Sequence, residues 1–249
     1  MTMPSLSNPA TNPLGVALYV EMRKLFDTRS ARWLLLFMGI SGILAVGLVI
    51  VLSIMRHEPL NLSALLVVLA LPAGFGTPII AILSITSDWQ HKDVIKFFTL
   101  QPRRGVILGA KYLAVGLFAL AIMLLASCLA LLTVLAISAA TGSELIYGEI
   151  GANLWLVFCT TTVGAVSGAA VGSAILSTPL AIIFVLFQSF VFDALIGLVA
   201  EKATPYLQSG SFAKFLTEGG DILPAITSCT IWIVIPASIG IWRNLKSDI

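Results

Sequence analysis

The sequence predicts an all-α integral membrane protein. It has six transmembrane helices, an amphipathic helix at the membrane interface before the first, and a short amphipathic helix between the second and third. Three observations lead there. Only 10% of the 249 residues are charged and 58% are apolar, with a mean hydropathy of +1.02, whereas a soluble domain carries roughly 25% charged residues. So few charges cannot cover a water-facing surface, and lipid must solvate much of the chain. The apolar residues gather into long runs, each near the roughly 20 residues that cross a bilayer. The Lys and Arg residues gather at alternate ends of those runs.

Residues 1–13 carry Pro4, Pro9 and Pro13 with several Ser and Asn and no charge, the composition of a disordered tail. It lacks the basic start and short apolar core of a signal peptide. Residues 14–249 then make a single six-span domain. It opens with Leu18, Met22, Leu25 and Phe26 at helical spacing, and Glu21, Arg23, Lys24, Asp27 and Arg29 on the other sides. This is either an interfacial helix with its apolar side in the headgroup layer or a basic flank to the first span. The spans fall at about 33–55, 62–87, 111–138, 152–176, 179–199 and 223–242. Only Ser177, Thr178 and Pro179 separate the fourth from the fifth.

Charge sets the orientation. With the N-terminus in the cytoplasm, Arg23, Lys24, Arg29, Arg32, Lys92, Lys96, Arg103, Arg104, Lys111, Arg243 and Lys246 lie inside, and only Arg56, Lys202 and Lys214 lie outside. The positive-inside rule therefore puts both termini and the 88–111 segment in the cytoplasm. The 200–222 segment falls outside, either as short helices dipping into the outer leaflet or as a plain loop.

The 88–111 segment, DWQHKDVIKFFTLQPRRGVILGAK, is the main polar interruption. Asp93 is placed to cap a helix, Val94, Phe97 and Phe98 share one face, and Pro102 ends it. Such a helix lies along a membrane surface or offers its apolar face to a partner; an ordinary basic loop is the alternative.

Inside the spans, Gly164, Gly168 and Gly172 form a double GxxxG, which lets helices approach closely within one subunit or across a dimer. Pro72, Pro78, Pro224 and Pro236 would kink spans 2 and 6. Asp193 is the only carboxylate well inside a span. A central Asp costs about 2.5–3.5 kcal/mol on insertion scales, offset by its many Leu, Ile, Val and Phe neighbours. Asp193 and Gln188 are therefore candidates for a translocation pathway or for structural hydrogen bonds.

Some classes are excluded. No GxxxxGK[ST], HExxH or GxSxG motif occurs, so the chain reads as a non-enzyme that binds no cofactor itself. Cys128, Cys159 and Cys229 lack metal-ligand spacing. No basic run lies outside the loops flanking the spans, so nucleic acid is not an expected partner.

Two stretches carry a resemblance. Asp88, the helix 93–101, Pro102, Arg103, Arg104 and Lys111 resemble the loop of ABC type-2 exporter permeases, in which an acid opens the loop, an amphipathic coupling helix follows, and a lysine opens span 3. Lys92 and Asp93 stand where that family usually has Gly-Thr. Glu21, Lys24 and Arg29 look like the family's E-x-x-K-x-x-x-x-R elbow helix. The resemblance implies the membrane subunit of an ATP-binding cassette transporter in the bacterial inner membrane. Two such subunits, identical or related, would pair with two ATPase subunits, which hold the ATP and Mg. Drugs, antibiotics, lipids and other amphipathic substrates are exported in this family. The alternative is a six-span membrane protein that is not a transporter, either a structural partner or an intramembrane enzyme.

Overall fold

The computed structural model describes residues 13–56, 58–90, 104–141, 145–146 and 148–246. Helix α1 (Pro13–Asp27) leads into α2 (Arg29–Met55), and Thr28 between them accepts the Ala31 N–H on its side chain as an N-cap. Strand β1 (Leu60–Asn61) precedes α3 (Leu62–Gln90). Helix α4 (Arg104–Thr141) follows, then β2 (Leu145–Ile146) and α5 (Ile150–Ile175). Helix α6 (Thr178–Val199), two short helices α7 (Thr204–Leu207) and α8 (Ser211–Glu218), and a final helix α9 complete the chain. Helix α9 runs through Ile222–Cys229, Thr230–Val234 and Ile235–Lys246. Six helices, α2 to α6 and α9, are long and apolar enough to cross a membrane, and the chain is a multi-pass α-helical membrane protein.

Helix α3 is the centre of the bundle and contributes to every apolar cluster. Leu62 and Leu65 meet Val46 and Ile50 of α2; Ala73 and Ile80 meet Leu25, Met38, Ala114 and Phe118. Ala81 and Ile85 meet Ala165 and Ala169 of α5, and Ile82 meets Val171 and Ala181. The α3–α5 seam is close because of the double GxxxG. A Cβ on Gly168 would stand 2.5 Å from the Pro78 carbonyl oxygen, while one on Gly164 would stand 3.3 Å from Pro78 Cγ. The motif thus packs within one chain.

The outer faces of α2, α4 and α6 are apolar and exposed. Trp33, Phe37 and Leu44 on α2, Leu132 on α4 and Ile183 on α6 are each at least 60% exposed. A continuous apolar belt of this kind is what lipid solvates and water does not.

Two features set the ends of the bundle. At one end β1 and β2 pair in parallel, Leu60 with Leu145, which holds the α2–α3 and α4–α5 links side by side. Trp155, near the start of α5, donates from Nε1 to the Leu216 carbonyl of α8 at 2.6 Å, so the 200–222 segment lies at that end too, as short helices. The other end carries α1, the end of α3, the start of α4 and the α5–α6 turn. There Leu176 adopts a left-handed conformation (φ 59°) and donates its N–H to Gly172, and Pro179 starts the next helix.

Helices α6 and α9 each contain one π turn, Gln188–Phe192 and Thr230–Val234. The second lies just before Pro236, where the missing proline N–H already disturbs the hydrogen-bond ladder. Prolines 72 and 78 sit inside α3 without ending it, because the buried neighbours on both sides hold the helix together.

Candidate functional site

Two sites emerge from the packing, one at each level of the bundle. The first is an ionic joint. Helix α1 places Glu21 facing the bundle, where it is 3% exposed. Periodicity alone put Glu21 with the charged residues on the outer sides of α1, and the structure corrects that placement. An apolar face of Leu18, Met22 and Leu25 packs on the core beside it, so the carboxylate turns inward with them. Its partner is Lys111, one to two turns into α4, whose Nζ stands 2.8 Å from Glu21 Oε2 with both side chains under a tenth exposed. Lys24 donates to the other oxygen, Oε1, at 3.0 Å. Lys111 also reaches the Ser84 carbonyl of α3 at 3.4 Å.

The joint therefore ties three elements, α1, α3 and α4, through one carboxylate and one ammonium. A buried pair is retained only when its geometry and extra hydrogen bonds offset desolvation, and losing one partner leaves an uncompensated charge. Chemically the joint does no work on a substrate. Mechanically it is a stiff link between α1 and the start of α4.

Of the residues singled out around this joint, Glu21, Lys24 and Lys111 are brought together. Arg29 is exposed at the start of α2. Asp88 and Arg104 fall in the ends of α3 and α4. The proposed helix 93–101, with Asp93, Val94, Phe97 and Phe98, and the following Pro102 and Arg103, lie outside the described residues, as does the 1–12 tail.

The second site is a cleft of about 180 Å³ between α3, α5, α6 and the link between α7 and α8. Gln188 lines it at the first residue of the π turn in α6; the residue is 4% exposed and its Oε1 has no hydrogen-bond partner among the described residues. Ten residues separate it from Thr178, about 15 Å along the helix, which is near the middle of a bilayer roughly 30 Å thick.

Asp193 stands one turn further on. Its carboxylate accepts the Ser209 N–H at 3.1 Å and the Ser209 hydroxyl at 2.5 Å. That contact seats the Ser209–Gly210 link at the mouth of the cleft. Ser228 on α9 adds a hydroxyl donated to the Gln208 carbonyl at 2.8 Å, and Trp232 donates from Nε1 to Leu207 at 2.8 Å. The 200–222 segment is thus stitched to α6 and α9 by side-chain hydrogen bonds.

Residue patterns missed Ser84, Ser209 and the α3 wall of the cleft. One signal was present. Pro78 in the middle of an apolar span has no N–H to offer the Gly74 carbonyl four residues back, and a polar group stranded there needs a partner. Among the described residues no group of three or more His, Cys, Asp or Glu side chains is arranged to hold a metal.

No known protein-family model matches the chain, and no curated protein sequence matches it either. The class rests on the fold itself, a six-helix membrane bundle with a buried ionic joint at one end.

Proposed function

We propose that the chain is the membrane-spanning permease subunit of an ATP-binding cassette transporter of the type-2 exporter kind. It exports a drug, antibiotic, lipid or other amphipathic substrate with ATP hydrolysed by a separate subunit. The observation that carries the reading is the Glu21–Lys111 pair, at 2.8 Å, which links the N-terminal amphipathic helix to the start of α4. Glu21 belongs to the stretch that resembles the elbow motif, and Lys111 closes the stretch that resembles the coupling loop.

In this reading an ATPase dimer closes on ATP and moves the 93–101 helix that docks on it. In the sequence that stretch ends two residues before α4 begins. Lys111 lies about 10 Å inside α4 from Arg104, so a tilt of α4 acts on α1 through Glu21 and on α3 through the Ser84 carbonyl. Rigid displacement of packed helices is a common way for such motion to spread. A second permease subunit completes the pathway, and the end of the bundle that carries α1 faces the bacterial cytoplasm.

The test is affinity purification of the intact chain from its native membrane. The reading expects a separate ATP-binding subunit to co-elute and to hydrolyse ATP. Elution of the chain without any ATP-binding partner, from membranes solubilised under several mild detergents, would count against it.

A further inference from the structure

The cleft beside Gln188 has a chemical bias that its lining makes explicit. Three of the four hydroxyl side chains that line it, all but Ser189, have already given away their protons. Thr160 donates to Leu156 at 2.8 Å, Ser167 to Trp232 at 3.2 Å, and Ser209 to Asp193 at 2.5 Å. A hydroxyl has one proton and two lone pairs, so each of these oxygens can only accept from a ligand. The Gly74 carbonyl joins them, because Pro78 removes its helical donor. Gln188 adds an amide whose Oε1 finds no donor among the described residues and whose Nε2 can donate.

Charge points the same way. Among the described residues, no Lys, Arg or His lines the cleft. The Asp193 carboxylate sits one hydrogen bond behind Ser209, and it forms no ion pair among the described residues. In a low-dielectric setting a carboxylate without a counter-charge projects a strong negative potential. Apolar walls complete the site: Val163 and Val185 line it, and Phe75, also in the lining, stacks on Phe190 with ring centroids 5.2 Å apart.

From this geometry we infer that the cleft binds an organic ammonium: an N–H-donating cation with an apolar or aromatic body. The ammonium donates to Gln188 and the surrounding oxygens, Asp193 supplies the counter-charge through Ser209, and the apolar body rests against Phe75 and the valines. A site built this way discriminates against a cation with no N–H, which would leave the acceptors unpaired, and against a neutral donor, which forgoes the field of Asp193. The inference concerns binding by this chain alone and needs no ATPase partner.

The experiment uses the full chain in lipid nanodiscs and radiolabelled 2-phenylethylammonium in a scintillation proximity assay. Competitors are unlabelled 2-phenylethylammonium, its N,N,N-trimethyl analogue and 2-phenylethanol. Saturable binding is expected, with both analogues competing about tenfold or more weakly, as befits loss of a hydrogen bond or of a charge. Three variants locate the site. Gln188→Leu removes the acceptor. Gly74→Leu fills the cleft from a position where a Cβ meets nothing within 4 Å. Gln188→Glu keeps an acceptor and adds charge. The first two should lose about tenfold in affinity, and the third should keep or tighten it. A merely structural Gln188 would not produce that opposite response. Size-exclusion profiles and thermal melts show that each variant is folded, and Gly74→Leu carries the test if a Gln188 variant is not. Equal competition by all three compounds, binding that fails to saturate, or affinity unchanged in folded Gly74→Leu would overturn the assignment.

Discussion

Glu21 and Lys111 show how much one pair of side chains can do in a molecule with so few charges. Each sits under a tenth exposed, and they pair at 2.8 Å across 90 residues of sequence. Replacing Glu21 by Ala should cost up to about 3–5 kcal/mol, because a buried ion pair loses one of its members. Replacing both, as Glu21→Leu with Lys111→Met, should recover most of that loss, since an apolar pair of similar volume is often neutral or better. Unfolding by mixed detergent titration of the two single variants and the double one checks this. If the single variants lose no stability, the pair is not buried as described. Both residues were prominent in the sequence by charge and motif. Their partnership was not legible, because helical periodicity says which residues share a face and not which distant residue meets them. Periodicity in fact pointed Glu21 outward, and tertiary packing of α1 on the core turned it in. At the same scale, Asp193 was legible as an oddity, a carboxylate in an apolar span, while its hydrogen bonds to Ser209 depend on a link that folds back from beyond the end of α6.

At the scale of elements, the sequence set the long helices well because hydropathy and length decide them. The turn between α5 and α6 shows the finer limit. Ser177, Thr178 and Pro179 were enough to mark it, but not the left-handed Leu176 (φ 59°) that makes it. A leucine in that conformation costs about 1–2 kcal/mol that glycine would not. Leu176→Gly should therefore raise stability, by up to about 1 kcal/mol after the extra flexibility of glycine in the unfolded chain is deducted. A thermal melt in detergent reads the sign directly, and a lowered melting temperature would contradict it. The α3–α5 seam gives a sharper contrast. Gly168→Ala drives a methyl to 2.5 Å from a backbone oxygen of Pro78, while Gly164→Ala meets only a ring carbon at 3.3 Å. Backbone cannot move aside as a ring edge can. The first should cost about 1–3 kcal/mol and the second a fraction of that. Equal effects would mean that the helices are further apart than described. The π turn in α6 left no trace in the sequence, since a shift of the backbone ladder by one residue needs no special side chain, whereas the one in α9 falls just before Pro236.

For the whole molecule, the placement of the ends follows from packing and the placement in the membrane follows from charge. The strands Leu60–Asn61 and Leu145–Ile146 lie at one end, with α8 beside Trp155, and α1 and the start of α4 lie at the other. Among the described residues, Arg23, Lys24, Arg29, Arg32, Arg104, Lys111, Arg243 and Lys246 belong to helix segments of the second end. That end should face the cytoplasm. Single cysteines at Ser5 and Thr99 should accordingly react with an impermeant maleimide only from the cytoplasmic side, and one at Ser143 only from outside. Labelling of Thr99→Cys in sealed, right-side-out vesicles would reverse the orientation.

The central claim is that a separate ATPase drives this bundle through residues 93–101, and one double substitution reaches it. An amphipathic helix gains affinity from large apolar anchors seated in a groove, and Phe97 and Phe98 are the largest that this stretch has. Truncating a buried interface aromatic can cost about 2 kcal/mol or more, which is at least about twentyfold in affinity. A basic residue near an anionic membrane surface is worth about 1 kcal/mol, so removing Arg103 and Arg104 should do less. The measurement is ATPase co-purification together with substrate-stimulated ATP hydrolysis in reconstituted vesicles. Phe97→Ala with Phe98→Ala should leave the chain inserted, lose most of the partner and abolish stimulation, while Arg103→Ala with Arg104→Ala should weaken both only mildly. Full co-purification and full stimulation in the aromatic double variant would contradict the account.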